Sequence, residues 1–252
     1  MQLRLRLLFT LAAFTLIFLQ AAAQPFDTLR RKDPGGWEFI QVHGNGTILA
    51  EGYLHNGIQE GVWNSYWDNG FPQNMTTYRD GKKNGLFLQI GHDGYTEMTE
   101  NYTNGRLDGP SRSFNKGQYI GEETYYSDGK KHGAYTKWYG NGQKQETSNY
   151  NNDKRDGKTT WYFENGQKAA EYDYRNGEID GDAATYHENG KVSEFGRYQN
   201  GNQTGTWKEF YPNGNLKAEG QYVNGEKEGA WKEYDEQGKN PKTVKYHNGE
   251  VK

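Results

Sequence analysis

Histidine and carboxylate side chains are the residues of this chain that could bind a metal ion or transfer protons. The chain has 252 residues with six histidines and no cysteine, which excludes disulfides and thiolate metal sites. No two histidines stand at the short spacing that favours binding of one metal ion, and His43 and His187 lie far apart. The sequence therefore predicts no metal site.

Four glutamates recur along the chain, namely Glu51, Glu123, Glu171 and Glu219. A glycosidase would need two carboxylates that face one cleft. Regular recurrence indicates instead a ladder of solvated or cross-strand paired charges, alternating with lysines such as Lys168, Lys191 and Lys217. Glycine-rich phosphate loops and oxygen-rich calcium loops are also absent from the sequence. We predict a protein that is not an enzyme, with no catalytic residue and no cofactor.

Aromatic side chains could bind a ligand by stacking on it. Four rings fall outside the regular columns of the chain and are candidates for a binding surface: Trp67, Tyr139, Phe163 and Tyr211. An exposed ring offers a flat apolar face that suits a sugar ring. The alternative, that these rings cover the second face of a one-layer sheet, is favoured because such a sheet needs cover on both sides.

The composition points to the elements that position these side chains. There are 34 Gly, 20 Tyr, 11 Phe and 7 Trp, whereas aliphatic residues are scarce after residue 23. A helix bundle or a doubly wound α/β domain needs many aliphatic residues at helical spacing, and a disordered chain is poor in aromatic residues. The composition therefore favours a turn-rich, all-β protein with an aromatic core.

Glycine recurs every 24 residues without an insertion, and this period defines a repeat. The recurring glycines are Gly61, Gly85, Gly109, Gly133, Gly157, Gly181, Gly205 and Gly229. With an earlier repeat that starts at Trp37, residues 37–252 form nine repeats, in which this first residue is position 1.

Two turns in each repeat predict a β-hairpin. Asn or Asp stands at position 20 of every repeat, followed by Gly in all but one, and a second turn such as Asn165-Gly166 falls at positions 9 and 10. Both residues tolerate the positive φ of type I′ turns, which we expect at both places. The sequence predicts an all-β fold, an elongated twisted array of nine 24-residue β-hairpin repeats.

Aromatic residues form columns through the repeats. Position 18 is Tyr in eight repeats, and rings stacked across neighbouring strands would bury one another. Position 3 is aromatic in six repeats but is Ser111, Thr159 and Ala183 in the middle of the chain. We expect Trp161 and Phe163 to compensate in the repeat that carries Thr159.

Residues 205–214 (GTWKEFYPNG) and 222–229 (YVNGEKEG) resemble the MORN-repeat variant, which is found in bacterial proteins labelled YwqK-type antitoxins. The resemblance covers residues 61–252 well and 37–60 less well. It implies a β-hairpin repeat scaffold used for binding, without a catalytic motif, and an antitoxin-like role.

Residues 1–23 have the pattern of a secretory signal peptide. Arg4 and Arg6 precede an apolar run over 7–19, and three alanines predict cleavage near Ala23-Gln24. The run is too short to cross a bilayer, which takes about 20 residues. We therefore expect a secreted or periplasmic protein with no integral membrane segment after cleavage, in which residues 24–36 form an amino-terminal lead-in or cap.

Three classes of function remain for such a protein. The first is a secreted or periplasmic non-catalytic scaffold that binds a protein partner of unknown identity, and the alternative is a carbohydrate- or cell-wall-binding aromatic module that binds a glycan. A formal charge of −3 argues against nucleic acid and against the third class, membrane association. Edge strands at the two ends carry Pro and Lys, so we expect a monomer or a weak end-to-end dimer.

Overall fold

The computed structural model describes residues 26–116 and 119–252. The predicted signal peptide, residues 1–23, lies outside them. The chain divides into two compact units, Met1–Arg106 and Leu107–Lys252, called here the first and second units. Apart from one 3-10 turn, the regular structure in the described ranges is β-strand. The all-β prediction is confirmed.

In the first unit each strand pairs antiparallel with the next along the chain. The strands are β1 (Asp27–Asp33), β2 (Trp37–Gly44), β3 (Thr47–His55), β4 (Ile58–Tyr66), β5 (Pro72–Arg79), β6 (Lys82–Ile90) and β7 (Thr96–Thr103). A two-residue strand, β8 (Arg106–Leu107), lies at the unit boundary. The 3-10 turn Pro34–Gly36 joins β1 to β2, so the described part of the lead-in adds a strand to the sheet.

The second unit continues in the same antiparallel manner, and β12 pairs with both of the strands that follow it. Its strands are β9 (Gly109–Asn115), β10 (Tyr119–Ser127), β11 (Lys130–Trp138), β12 (Lys144–Asn151), β13 (Lys154–Arg155), β14 (Gly157–Tyr162), β15 (Lys168–Arg175), β16 (Glu178–Tyr186), β17 (Val192–Gln199), β18 (Asn202–Phe210), β19 (Leu216–Val223), β20 (Glu226–Glu233), β21 (Lys242–His247) and β22 (Glu250–Val251). The predicted succession of hairpins is confirmed.

The hairpins use two kinds of turn, and only one of them is type I′. At Asn176 and Gly177 both φ angles are positive, 52° and 92°, as type I′ requires. At Asn165 and Gly166 only the glycine has a positive φ, 83°, and its N–H donates to the Phe163 carbonyl oxygen at 2.9 Å. The same pattern recurs with Asn69, Asn141, Asn189 and Asn213. The type I′ prediction is wrong in these repeats, because a type I turn followed by a left-handed glycine closes the loop.

One face of the second unit, called here the aromatic face, holds its hydrophobic core. Trp207 and Trp231 lie at the centre of this core, with 3% and 1% of their surface exposed. The ring centroid of Tyr222 lies 5.6 Å from that of Trp207 and 5.3 Å from that of Trp231, in edge-to-face geometry. Such contacts add to the burial energy of the rings. The predicted aromatic ladder is therefore present as alternating Tyr and Trp.

Residue size alternates between neighbouring strands of this face. Trp231 at position 3 lies over Gly220 at position 16 of the preceding repeat, where an added Cβ would collide with the indole. At Ala183 the sizes are reversed, since its cross-strand partner is Tyr172. The arrangement of Gly220 and Trp231, a small residue at position 16 against a large one at position 3, recurs in three pairs: Gly52–Trp63, Thr76–Phe87 and Gly196–Trp207. The small residues Thr159 and Ala183 at position 3 are thus explained by their large partner Tyr172.

The repeat with Thr159 at position 3 fills its face with Trp161, as expected. The Trp161 ring centroid lies 5.7 Å from that of Tyr172 and 6.4 Å from that of Tyr174. Arg155 covers this ring, with Cζ 5.8 Å from the centroid. Cations at the same repeat position cover aromatic rings elsewhere: Lys83, Lys131 and Lys227. This column of cation–π contacts is a feature that sequence reasoning missed.

Candidate functional site

The four candidate aromatics recur at one position of the repeat and are all half-buried: Trp67, Tyr139, Phe163 and Tyr211. The Tyr139 hydroxyl donates to the Tyr162 carbonyl oxygen at 2.7 Å, and the Tyr211 hydroxyl donates to the Tyr234 carbonyl oxygen at 2.8 Å. The indole N–H of Trp67 makes the equivalent bond. The polar groups of Trp67, Tyr139 and Tyr211 tie one repeat to the backbone of the next, and each of the four rings belongs to a different repeat.

Asparagine at position 9 makes a second link between repeats. The Asn189 Oδ1 accepts from the Lys191 N–H at 3.1 Å, and its Nδ2 donates to the Pro212 carbonyl oxygen at 2.7 Å. The same two bonds are made by Asn69, Asn141, Asn165 and Asn213. Because each side chain satisfies its own turn and the next one, these asparagines hold the scaffold together.

The recurring glutamates are engaged in separate cross-strand pairs. Three of them accept a hydrogen bond from a tyrosine fifteen residues later: Glu51 from Tyr66 at 2.6 Å, Glu171 from Tyr186 at 2.7 Å and Glu219 from Tyr234 at 3.2 Å. The fourth, Glu123, forms an ion pair with Arg112 at 2.6 Å. Two of the three predicted lysines also take part, since Lys168 lies 2.8 Å from Glu171 and Lys217 lies 3.2 Å from Glu209. Lys191 instead donates to the Asn213 carbonyl oxygen. The predicted ladder of paired charges is therefore confirmed in part.

Titration of these pairs follows from their burial and their hydrogen bonds. Donation by Tyr66 is the main cause that holds the pKa of Glu51 below its usual value. Burial is the main cause that raises the pKa of Tyr66 and of Tyr186 to about 12, and the partner carboxylate adds to it. At neutral pH the pairs Glu51–Tyr66 and Glu171–Tyr186 are therefore each a neutral phenol that donates to an ionised carboxylate.

Two carboxylates meet on the aromatic face at Glu194 and Glu209, which are cross-strand partners. Burial, followed by the charge of Glu209, raises the pKa of Glu194. Lys217 and Lys227 lie 3.2 and 3.6 Å from the Glu209 carboxylate. This arrangement is a charge network in which two lysines lie beside the Glu209 carboxylate.

The histidines are engaged separately. His43 Nε2 lies 2.8 Å from Gln41 Oε1, His187 Nε2 lies 2.9 Å from the Phe210 carbonyl oxygen, and the His55 ring stacks on Trp37. His92 lies 2.9 Å from Asp68, and His247 lies 3.1 Å from Glu228. Within residues 26–116 and 119–252 no group of three or more His, Asp or Glu side chains is placed to hold a metal ion. In the same ranges no helix is long and apolar enough to span a membrane.

The sheet face opposite the aromatic residues carries an aliphatic patch in the first unit. Its exposed members are Val62 and Leu86, each 45% exposed, and Met75, which is 37% exposed. Leu88 is the cross-strand partner of Met75 and lies on the same side of the sheet. These four residues, called here the aliphatic patch, lie on three neighbouring strands, β4, β5 and β6.

In the second unit the same repeat positions carry ion pairs instead. Lys158 and Asp173 are 3.0 Å apart at positions 2 and 17, where the first unit has Val62 and Thr77. At positions 4 and 15 the ion pairs are Arg112–Glu123 at 2.6 Å and Lys208–Glu219 at 3.4 Å. The repeats of both units have the same succession of hairpins. The two units therefore differ in the side chains on this face, which are aliphatic in the first unit and charged in the second.

Comparison with protein families matches three segments of the second unit to a model described as MORN repeat variant: residues 131–152, 155–176 and 203–224. The matched segments contain the hairpins β11–β12, β14–β15 and β18–β19. No curated protein matches the chain. MORN repeats are in general non-catalytic modules that interact with proteins or membranes. The resemblance to the MORN-repeat variant is therefore confirmed at these three segments of the second unit.

Proposed function

We propose that this protein is a secreted or periplasmic, non-catalytic repeat scaffold that binds a protein partner through the aliphatic patch of its first unit. The observation that carries the proposal is the exposure of Val62, Met75 and Leu86 on one sheet face. An exposed cluster of large apolar side chains costs free energy in water and typically marks an interaction surface. The partner is accordingly expected to present apolar side chains.

A comparison of the repeats supports the aliphatic patch as a binding surface. Other repeats carry charged residues at positions 2, 4, 15 and 17, as at Lys158 and Asp173, so the scaffold tolerates charge there. Aliphatic side chains at those positions in β4 to β6 are therefore not required by the fold. Burial by a partner would remove their apolar area from water, at about 25 cal/mol for each Å².

The non-catalytic part of the proposal is supported by the state of the carboxylates. Glu51, Glu171 and Glu219 are each engaged with a tyrosine, and two lysines lie beside the Glu209 carboxylate. A glycosidase needs an open pair of carboxylates, one of them able to donate a proton to substrate.

Export is supported by the sequence pattern of residues 1–23, with Arg4 and Arg6 before the apolar run. Mass spectrometry of the mature protein should find an amino terminus at Gln24. An antitoxin-like role is the narrower form of this proposal, and it rests on the resemblance to YwqK-type proteins.

The patch is tested by affinity capture from the cell envelope and culture medium. Leu86→Glu and Met75→Glu place charge in the patch, whereas Ala134→Glu places it at the position equivalent to Leu86, on an exposed site of the second unit. A specific partner should be recovered with the unchanged protein and with Ala134→Glu, and lost with the two patch variants. Circular dichroism confirms that the variants fold. Recovery of the same proteins with all four forms would contradict the proposal.

A further inference from the structure

A row of side chains crosses the second unit on the face opposite the aromatic core. Cross-strand partners follow one another from β14 to β20: Thr160, Glu171, Ala184, Phe195, Lys208, Glu219 and Lys232. Directly opposed residues of antiparallel strands project to the same side, so these side chains form one line on the sheet surface.

Two departures from the repeat meet in this row. Ala184 is the smallest residue found at position 4, which is otherwise Ile, Asn, Leu, Arg, Thr or Lys. Phe195 is the one aromatic residue at position 15, which is Glu in four repeats. Because Ala184 and Phe195 are cross-strand partners, the two departures create a single local feature.

Phe195 is stacked on one side and open on the other. Its ring lies 5.8 Å from that of Phe210, with an angle of 17° between the planes. Phe210 stands fifteen residues after Phe195, the separation at which other repeats have a Glu–Tyr hydrogen bond. The side chain nevertheless remains 41% exposed, and its cross-strand partner is the small Ala184.

Glu171 lies on the other side of Ala184 from Phe195. Its Oε1 receives Lys168 at 2.8 Å and its Oε2 receives the Tyr186 hydroxyl at 2.7 Å. The Thr160 hydroxyl adds a long contact of 3.4 Å to Oε1. Each carboxylate oxygen can accept two hydrogen bonds, so Oε2 retains an acceptor site. The group is ionised at neutral pH. Burial raises its pKa, but the hydrogen bonds from Lys168 and Tyr186, with the lysine charges, outweigh burial and leave the pKa below its usual value.

The distance between Glu171 and Phe195 suits a planar chemical group. Glu171 and Phe195 are two strands apart, which separates their backbones by about 9.6 Å. Ala184 lies between them on β16, and Asp182, two residues earlier on the same strand, is on the same side of the sheet. The side chains of Ala184, Phe195, Glu171 and Tyr186 are called here the notch.

We propose that the notch binds an arginine side chain of a partner protein. A guanidinium plane stacks on an aromatic face and donates hydrogen bonds to a carboxylate, and the notch offers both of these across one small residue. The Glu171 carboxylate, with an acceptor site left on Oε2, favours a cation. This inference deepens the proposed scaffold function by naming a chemistry of the partner, and it concerns a surface distinct from the aliphatic patch.

Titration with a short peptide tests the notch without a known partner. The probe is acetyl-Gly-Arg-Gly-amide, and its neutral counterpart carries citrulline in place of arginine. Protein with ¹³C-labelled phenylalanine rings reports binding by NMR, and Phe195→Leu identifies the Phe195 signals. We expect saturable shifts of these signals with the arginine peptide and an affinity at least about threefold weaker with citrulline.

Variants of the notch give the decisive comparison. Ala184→Leu fills the notch and should abolish the shifts, whereas Thr136→Leu makes a comparable change at position 4 of another repeat and should leave them unchanged. Glu171→Gln keeps the shape and should weaken binding at least about threefold. Equal binding by Ala184→Leu, equal binding of citrulline, or shifts with N-acetylglucosamine but not with the arginine peptide would each overturn the proposal.

Failure here is distinguishable from failure of the scaffold proposal. The peptide titration does not involve the aliphatic patch, and loss of capture by Leu86→Glu does not depend on Phe195. An Ala184→Leu protein that binds no arginine peptide but still recovers the apolar partner would separate the two surfaces.

Discussion

The indole of Trp231 lies against Gly220, eleven residues earlier on the neighbouring strand, so closely that any Cβ on Gly220 would come within 3.0 Å of ring atoms. The backbone of Gly220 does not have a positive φ, so glycine is required there by the ring and not by the chain conformation. Size complementarity between neighbouring repeats is thus a main determinant of packing on the aromatic face.

Substitution of this glycine should destabilise the protein. Gly220→Ala forces Trp231 from its position, and we expect a loss of about 1–3 kcal/mol in the free energy of unfolding, measured by urea denaturation. Gly140→Ala is the matched control, because a Cβ there meets nothing within 4 Å and its φ is not positive. It should change stability by less than about 0.5 kcal/mol.

A double substitution extends this test. Gly220→Thr combined with Trp231→Phe copies the natural pair Thr76–Phe87. The double variant should be more stable than the sum of the two single changes predicts, because the smaller ring makes room for the added side chain. Strict additivity would contradict size complementarity as the cause.

The hydroxyl of Thr159 offers a stabilising change. Thr159 is fully buried, and its Oγ1 has no hydrogen-bond partner among the described residues. Thr159→Val keeps the shape and removes the unsatisfied oxygen, so we expect a gain of about 1 kcal/mol in the free energy of unfolding. Thr160→Val is the control, since that hydroxyl contacts Glu171 at 3.4 Å and its loss should not stabilise. Destabilisation by Thr159→Val would show that the hydroxyl is satisfied.

Alkaline pH should weaken the fold through its tyrosines. The pKa of Tyr186 is raised to about 12, mainly by burial and then by Glu171, whereas a tyrosine in the unfolded chain has a pKa of about 10. A group with a raised pKa stabilises the folded state fully below the unfolded pKa, and this contribution is lost as pH rises through the folded pKa. Stability should therefore fall between about pH 10 and 12.

Tyr186→Phe identifies the contribution of this residue. The free energy of unfolding of the variant, measured by denaturation from pH 9 to 12, should fall less steeply than that of the unchanged protein. In a titration followed by absorbance at 295 nm, the variant should also show one fewer tyrosine that ionises at the high-pH end. A variant whose stability falls as steeply as that of the unchanged protein would mean that Tyr186 titrates normally.

The fold was predictable from the sequence wherever its determinants are local. A hairpin turn such as Asn176–Gly177 is specified by two adjacent residues, and the 24-residue period repeats that information. The partnership of Gly220 with Trp231 was not predictable in this way, because it depends on the register between strands of different repeats. The type I turn at Asn165 was missed for a similar reason, since its asparagine bonds to the Glu188 carbonyl of the next repeat.

The candidate surfaces were likewise predictable only in part from the sequence. The columns identified Tyr139 and Tyr211 as rings outside the core pattern, but the sequence does not show that their hydroxyls bind the next repeat. The aliphatic patch and the notch were missed because the columns were compared for what they share. Departures such as Phe195 and Met75 become informative once the strand register places Phe195 opposite Ala184 and Met75 opposite Leu88.

Loss of the Tyr139 hydroxyl tests whether the four candidate rings are structural or bind sugars. Its bond to the Tyr162 carbonyl oxygen at 2.7 Å joins two repeats, so Tyr139→Phe should lower the free energy of unfolding by about 0.5–1.5 kcal/mol. Tyr162→Phe is a suitable control, because the Tyr162 hydroxyl has no partner in the ranges that the structure describes, and it should change stability less. A glycan array tests the hypothesis that these rings bind sugars. Tyr139→Ala should give the same array signals as the unchanged protein. A protein that binds a glycan and loses that binding with Tyr139→Ala would assign these rings to carbohydrate recognition instead.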